Sequence, residues 1–556
     1  MSYPRNFINP LSLQICFLLL ASFSNGQNPY QSYQTSIYCN ASSPIEHPTS
    51  IEEVQAIVNL AISTNQTVKA IGSRHSISDV ICTEGIPMNL ENIKYTVLNS
   101  DGTVKVGAGA KVKDVLDFLQ SHNLSLIHVP AFGGITVGGA IGTGAHGSSL
   151  LHPTSLSDQV VGLTIVDGQG NVQIINSAND LAGFQVHLGL LGIVVDVTLT
   201  TVPLFKMTIR NTLHPETILT DGTALIWAQS RDWFEMWWFP SSSSVVVSVG
   251  DYVDVSTPGE HYTNMLPNVN LLEVIAGRTA YELLQATRNT SGLLAMEEAT
   301  RLSMYEVPGA KPPLYTGDGV KLENPATGFA HQLMSNRCES CPWDYGAVAL
   351  NPEESSLAFN LYDLPRVVNT VRGILSQEGA ENTLFTMIGM FIRFSRASPA
   401  LMAISSGRPT VTFEWTTPMR TDPFNTPKAG IAGFQAIAQA MVTEHSGRPH
   451  WGKNGPYFFN PDILEEVHPN RNSFIGLMAK YDPNGVFHNK FAKRLLATSA
   501  EMNVHPSVTH CALQEYCICS KDDDCGNNQI CKALNGYMAC HDAPTNSKKD
   551  SNLTIL

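Results

Sequence analysis

Two short segments of this chain carry residue types suited to chemistry. The first is Gly72, Ser73, Arg74, His75 and Ser76, placed where a short apolar stretch, Val68 to Ile71, ends. Glycine and small hydroxyl residues at a strand end leave backbone N–H groups free to face a phosphate. It is not a dinucleotide-binding Rossmann turn, because no G-x-G-x-x-G opens a helix here. Taken alone, His75 reads equally well as a buried structural histidine. The second segment packs Gly138, Gly139, Gly142, Thr143, Gly144, His146 and Gly147 into ten residues. Ordered glycine costs chain entropy, so this density points to a loop whose backbone approaches something large and rigid.

The surrounding elements must hold those segments. Ser50 to Lys69 has Val54, Ile57, Val58 and Ala61 at helical spacing, with Ser50 as N-cap and Glu53 three residues on. Val68 to Ile71 follows as a strand running into the His75 loop. Thr103 to Val106 (strand) and Lys111 to His122 (helix) precede the glycine segment. Strands at Gln159 to Asp167, Val172 to Ile175 and Gly192 to Val202 close an α+β unit of about 160 residues. From Phe205 to about Ala500, strand-like runs (Ser243 to Val249, Thr410 to Thr416) alternate with helical ones (Leu271 to Glu298, Leu364 to Gln377, Lys428 to Glu444). Trp227, Trp233, Trp237 and Trp238 are read as core residues, some of which line a pocket.

Composition narrows the class. A chain of 556 residues, 43% hydrophobic, has material for two or three domains. A formal net charge of −14 argues against a nucleic-acid partner, which needs clustered Lys and Arg. The run Lys521 to Asp524 is read as a solvated turn. Arg5 followed by apolar Leu11 to Phe23 and then Ser24, Asn25, Gly26 reads as a secretory signal over 1–26, with an uncleaved anchor as the alternative. That apolar run is shorter than the roughly 20 residues of a membrane span, and no stable span is expected. Glycosylation sequons at Asn40, Asn65, Asn123, Asn289 and Asn552 agree with secretion. Loss of Cys16 with the signal leaves an even cysteine count, most of it clustered near the C-terminus.

The two segments and their spacing resemble the FAD-binding (PCMH-type) domain of the vanillyl-alcohol oxidase superfamily, in its aldonolactone oxidase branch. The resemblance extends through Val186 to Leu199, through Gly447, Arg448, Pro449, His450, Trp451, Gly452 and Lys453, and through Tyr481 to Phe487, covering Ile45 to about Leu496. It implies a two-subdomain FAD-binding domain over 44–206, an α+β substrate (cap) domain over 207–500, and a disulfide-rich tail over 505–556. By the same resemblance His75 is the residue bonded to the flavin 8α position, with Gly72, Ser73, Arg74, Ser76, Gly138, Gly139, Gly142, Thr143, His146 and Gly192 lining the cofactor. Arg393 and Lys453 occupy the family positions for cations beside the reduced flavin, where fixed positive charge stabilises the anion. The implied reaction takes hydride from an aldonolactone C2 to FAD and passes the electrons to oxygen, giving L-ascorbate and H2O2.

One departure bears on substrate. The family commonly has a glutamate two residues before the arginine, where this chain has Phe391. Either Glu414 supplies that carboxylate from a neighbouring strand-like run, or substrate handling differs. Pro130 stands where galactonolactone dehydrogenases carry an oxygen-impeding alanine, which favours an oxidase. No cysteine lies between Cys82 and Cys338, so attachment through His75 alone is expected. Cys338 and Cys341 form a C-x-x-C that is either redox-active or a structural disulfide. The tail cysteines Cys511, Cys517, Cys519, Cys525, Cys531 and Cys540 lack the paired spacing zinc prefers, and no metal is expected. The tail is similar to those of plant gulonolactone oxidase-like proteins. Three readings stand: a secreted aldonolactone oxidase, an FAD-linked oxidase of another sugar, alditol or alcohol, and a flavin-bearing glycoprotein that has lost catalysis and binds a partner through its tail. Nothing in the sequence bears on oligomeric state.

Overall fold

The computed structural model describes residues 28–33, 37–261, 271–305, 314–315, 321–322, 324–335, 352–497 and 508–544. The signal-like start, the Asn552 sequon and the Cys338/Cys341 pair lie outside them. Among the described residues no helix is long and apolar enough to cross a membrane.

The first unit starts as its sequence pattern dictates. Ser50 caps helix Ile51–Ser63 by accepting from the Glu53 N–H, and Val54, Val58 and Ala61 are its buried stripe. Strand Val68–Ile71 then pairs in parallel with Ile86–Asn89. Beside this small subdomain lies an antiparallel five-stranded sheet in the order Thr96–Leu98, Val104–Gly107, Ile193–Leu199, Val160–Val166, Val172–Ile175. Helix Val112–Ser121 buries Val112, Val115, Leu116 and Leu119. The Cys39–Cys82 disulfide ties the N-terminal strand to the segment that follows the His75 loop.

The second unit is built on an antiparallel eight-stranded sheet, ordered Ala326–Phe329, Lys206–Pro215, Ser244–Val253, Trp233–Phe239, Met390–Ser395, Thr410–Pro418, Pro352–Asn360, Arg448–Pro449. Alternation along the strands divides its faces. Phe234, Met236, Trp238, Met390, Ile392, Phe394, Val411 and Phe413 enter an apolar core shared with helices Leu364–Leu375 and Ile431–Thr443. Glu235, Trp237, Phe391, Arg393, Glu414 and Glu354 alternate with them on the opposite face.

Three expectations need revision. The helical run read from Leu271 to Glu298 is two helices, Leu271–Ala286 and Thr290–Tyr305. Arg288 between them is left-handed (φ 50), its guanidinium engaged by Asp542, and the Asn289 side chain accepts from the Gly292 N–H to start the second helix. Second, the cofactor-side core does not end near residue 206. Trp451, Phe459, Phe474, Tyr481, Phe487 and Leu495, read as part of the cap, pack into it. The reason lies in polar stitching: Asp482 accepts from the Val486 and Phe487 N–H groups, Val68 N–H donates to Val486, and Arg494 pairs with Asp79 at 2.5 Å. Third, the glycine segment is not a loop throughout: Val137–Thr143 is a helix.

The tail closes with a hairpin, Gln529–Leu534 and Tyr537–Asp542, held by the Cys511–Cys517, Cys519–Cys531 and Cys525–Cys540 disulfides. It packs on helix Ile431–Thr443, whose Gln435 donates to the Ala512 carbonyl and accepts from the Cys540 N–H.

Candidate active site

Gly72 ends its strand against helix Val137–Thr143, so closely that a Cβ there would lie 2.1 Å from Thr136 Oγ1. The chain then turns through Arg74, left-handed at φ 56, whose carbonyl accepts from the Tyr33 N–H. His75 follows, its ring stacked on Tyr33 (4.2 Å between centroids) and tilted against Phe132 (4.8 Å). Burial, helped by Lys111 and Lys453, pushes its imidazole down to about 4, so it is neutral at physiological pH. The loop is fastened to a segment far along the chain. Ile77 N–H donates to the Gly452 carbonyl (2.8 Å) and Ser78 Oγ to that of Trp451 (2.5 Å). Trp451 is fully buried, with its indole N–H on the Met402 carbonyl.

The glycines of the second segment answer to the protein's own packing. A Cβ on Gly138 would meet Ala108 at 2.9 Å, and one on Gly142 would meet His187 at 3.1 Å. The close approach read from their density is therefore helix against the turn after strand Val104–Gly107 and against the loop that carries His187. Gly192 (φ 149) likewise abuts Ile165. Gly139 and Thr143, like Gly138 and Gly142, line a cavity.

Three strands and one loop converge on a charged cluster. Arg393 on strand Met390–Ser395 donates to Glu414 Oε2 (2.6 Å) and to the His146 carbonyl (2.8 Å). Lys453 Nζ reaches Glu414 Oε1 (2.8 Å) and Glu354 Oε2 (3.0 Å). Arg393 is 4% exposed, so this strand arginine faces the interior and not solvent. Burial alone would raise the Glu414 carboxyl, yet Lys453 and Arg393 together hold it down to about 2. Lys453 is raised, because Glu354 and Glu414 outweigh its burial. The two cations and two carboxylates cancel, so the cluster is fixed but close to neutral. Around it His450 is pushed down to about 3 by burial and the same two cations, and His146 falls well below its ordinary value.

Phe391 and Glu414 are register partners on adjacent strands. The Phe391 ring stacks parallel on Trp237 at 5.2 Å. The carboxylate thus stands one strand over from the position where the sequence lacks it.

A single cavity of ≈ 330 Å³ joins these parts. It is lined by Gly72, Ser73, Arg74, His75, Ser76, Gly138, Gly139, Gly142, Thr143, His146 and Gly192, and equally by Arg393, Glu414 and Lys453. Pro130, Phe391, Glu354 and His450 line it too. Among the described residues, five buried polar atoms of its wall have no hydrogen-bond partner: His146 Nε2, His187 Nε2, Trp237 Nε1, Arg393 Nε and Thr416 Oγ1. Because His146 Nδ1 donates to a carbonyl, Nε2 is a bare acceptor. A long cavity wall with phosphate-suited backbone at one part, neutral imidazoles, unspent polar atoms and fixed cations fits a flavin dinucleotide.

Sequence reading missed several residues here. Lys69, fully buried, lines the cavity and donates to the Leu188 and Gly189 carbonyls, and burial lowers it to about 7. A lysine inside an otherwise apolar strand was its only signal. Burial pushes Glu235 up to about 8 against the pull of Arg393, its register partner. Its signal was a lone acid among aromatics, Trp233 to Phe239. Glu354 carried none, because the Pro352–Asn360 strand was not read.

Comparison with known proteins bears on this geometry. Residues 44–176 match the FAD binding domain family model, and residues 353–495 match the D-arabinono-1,4-lactone oxidase model. L-gulonolactone oxidase 5 of Arabidopsis thaliana is 25% identical over 520 residues, spanning 88% of this chain and 85% of that protein. The Mus musculus L-gulonolactone oxidase is 25% identical over 81% of this chain and 94% of its own length. The Bos taurus enzyme reaches 35% identity over a shorter stretch, 37% of this chain and 48% of the relative. In fold, the chain is similar to cholesterol oxidase from Brevibacterium sterolicum (TM-score 0.65, 17% identity, covering 86% of this chain and 99% of that one).

Proposed function

The chain belongs to the PCMH-type FAD-dependent aldonolactone oxidases, and from that premise we propose that it oxidises an aldono-1,4-lactone of the L-gulono type at its C2 hydroxyl. Oxygen takes the two electrons and becomes H2O2, and the oxidised lactone is L-ascorbate. The observation that carries this reading is Glu414, held between Arg393 and Lys453 in the cavity that the His75 loop borders.

FAD, when bound, supplies the hydride acceptor and the passage of electrons to oxygen. The His75 loop, helix Val137–Thr143 and Gly192 would hold it. Arg393 and Lys453, each paired with a carboxylate, line the cavity with fixed N–H donors that need no reorganisation during reaction. Each Glu414 oxygen accepts one bond from a cation and retains a lone pair, so the carboxylate can take a lactone hydroxyl without giving up its partners. Held near 2, it stays ionised and orients the hydroxyl, being too weak a base to take its proton. Pro130 on the cavity wall is consistent with oxygen reaching the site.

His75 is proposed as the covalent tether, and its neutral, half-buried ring supports that role because an unprotonated nitrogen is what must bond. Denatured protein should keep a yellow, fluorescent flavin, and His75→Ala should release it to acid precipitation. Flavin stripped from the wild type by acid would overturn the tether. Secretion is proposed as well: the asparagines of the four described sequons are exposed, and eight described cysteines form four disulfides. Glycosidase treatment of the native protein should reduce its mass. For the activity, peroxide release on L-gulono- against L-galactono-1,4-lactone decides: turnover of either supports the reading, and silence on both sinks it.

A further inference from the structure

The tail reaches the active-site loop through Glu515. This residue lies in the loop closed by the Cys511–Cys517 disulfide and is held left-handed at φ 53. Its Oε2 accepts from the Gly455 N–H (2.7 Å), and its carbonyl accepts from the Tyr457 N–H (2.7 Å). Gly455 has ordinary extended angles (φ −76, ψ 172) that any residue adopts, yet a Cβ there would lie 2.3 Å from the Glu515 Cβ. Space for the tail, and not backbone conformation, demands the glycine. Two residues earlier is Lys453. Asn454 between them is fully buried and fastened to the neighbouring strand through Ser355 Oγ (2.8 Å). The loop carrying the lysine is thus gripped by the sheet on one side and by Glu515 on the other.

We infer that Glu515, presented by the disulfide loop, is a positioning residue that sets where Lys453 stands over the cavity. This rests on the reading of Lys453 as an active-site cation. The carboxylate is partly buried, and burial and the nearby Glu353 push it up to about 7 against the Gly455 N–H and Lys428, so an acceptor oxygen matters more than charge. A glutamine oxygen would serve the same N–H.

The experiment compares Glu515→Ala, Glu515→Gln, Gly455→Ala and, as a control, Arg288→Ala in the full-length holoprotein. Arg288 binds Asp542 elsewhere on the tail and does not touch this loop. Readouts are kcat and KM per bound flavin, the flavin midpoint potential, and Tm. Misplacing a catalytic group by an ångström costs up to roughly 100-fold, so Glu515→Ala should lower kcat ~10-fold and shift the potential downward. Glu515→Gln should restore both, and Gly455→Ala should mimic the alanine variant. Arg288→Ala should lower Tm and leave kcat and potential unchanged. A Glu515→Ala protein that loses Tm alone overturns the inference, as does an Arg288→Ala protein with the same kinetic loss. If Glu515→Ala does not fold, unaltered kcat and potential in Gly455→Ala overturn it. Lys453→Met separates the two readings: if it changes neither turnover nor potential, the active-site role of Lys453 fails, whatever Glu515 does.

Discussion

Glu414 holds two buried cations at once, and its loss would be felt in both stability and catalysis. Removing one partner of a buried ion pair typically costs 3–5 kcal/mol, because the remaining charge is left uncompensated. Glu414→Gln keeps the shape and a hydrogen-bond acceptor but leaves Arg393 and Lys453 facing each other without an anion, apart from Glu354 on the lysine. Chemical denaturation should register a loss of about 3 kcal/mol. Steady-state kinetics should show kcat/KM down by at least ~100-fold, about 2.7 kcal/mol at the transition state. A variant that turns over lactone as the wild type does would remove Glu414 from substrate handling. Phe391 belongs to the same account. As the register partner of Glu414 it presents an aromatic wall, stacked on Trp237, beside the carboxylate.

Among elements, a tight junction lies between Gly72, just past its strand, and the helix capped at Thr136. The β-branched threonine is stiff at χ1, so it cannot swing away from an added methyl. Gly72→Ala should therefore cost ~1–3 kcal/mol by overpacking and push the His75 loop off the helix. Thermal melts should show the loss, and the fraction of chains carrying flavin should fall with it. Gly72→Ala combined with Thr136→Ala makes room and should recover part of both. Unchanged flavin content in the single variant would mean that the loop is held by its other contacts, those to Tyr33, Gly452 and Trp451, without the Gly72 junction. Strand alternation does the equivalent work in the second unit. Odd and even positions of Trp233–Phe239 send Trp238 to the core and Trp237 to the cavity, although the two are neighbours.

At the scale of the molecule, the interior holds many uncharged histidines. His75 and His187 are pushed down to about 4 and His128 and His450 to about 3, burial being the first cause in each, and His146 and His468 are likewise held well below their ordinary value. In the unfolded chain each takes a proton near 6.5. Between 6.5 and 4 the unfolded state therefore binds more protons, and stability is lost as pH falls through that window. Glu235 and Glu515, raised to about 8 and about 7, pull the other way, because the folded state protonates them first. Asp158, Glu297 and Asp482 are raised as well, but His214, His445, His488 and His541 are lowered too, so ten imidazoles outweigh five carboxyls and Tm should drop steadily from pH 7 to pH 5. A flat or rising Tm over that range would contradict the neutral interior.

Local pattern was enough for what depends on neighbours in sequence. The helix at Ile51–Ser63 and the strand into His75 were legible from cap residues and periodicity, while the two-subdomain fold and the FAD-binding character came from the resemblance of the two small-residue segments to a known family. The residues named for the cofactor and the charges line one cavity, but only the folded chain brings Arg393, Glu414 and Lys453 within hydrogen-bond reach. Strand register decides that Glu414 faces Phe391, and register is set by the whole sheet. The same holds for the return of Trp451 to Leu495 into the first core, and for Glu515 against Gly455, contacts between segments far apart in sequence. Periodicity reports which face of an element is buried, and it carries no information about which distant element buries it.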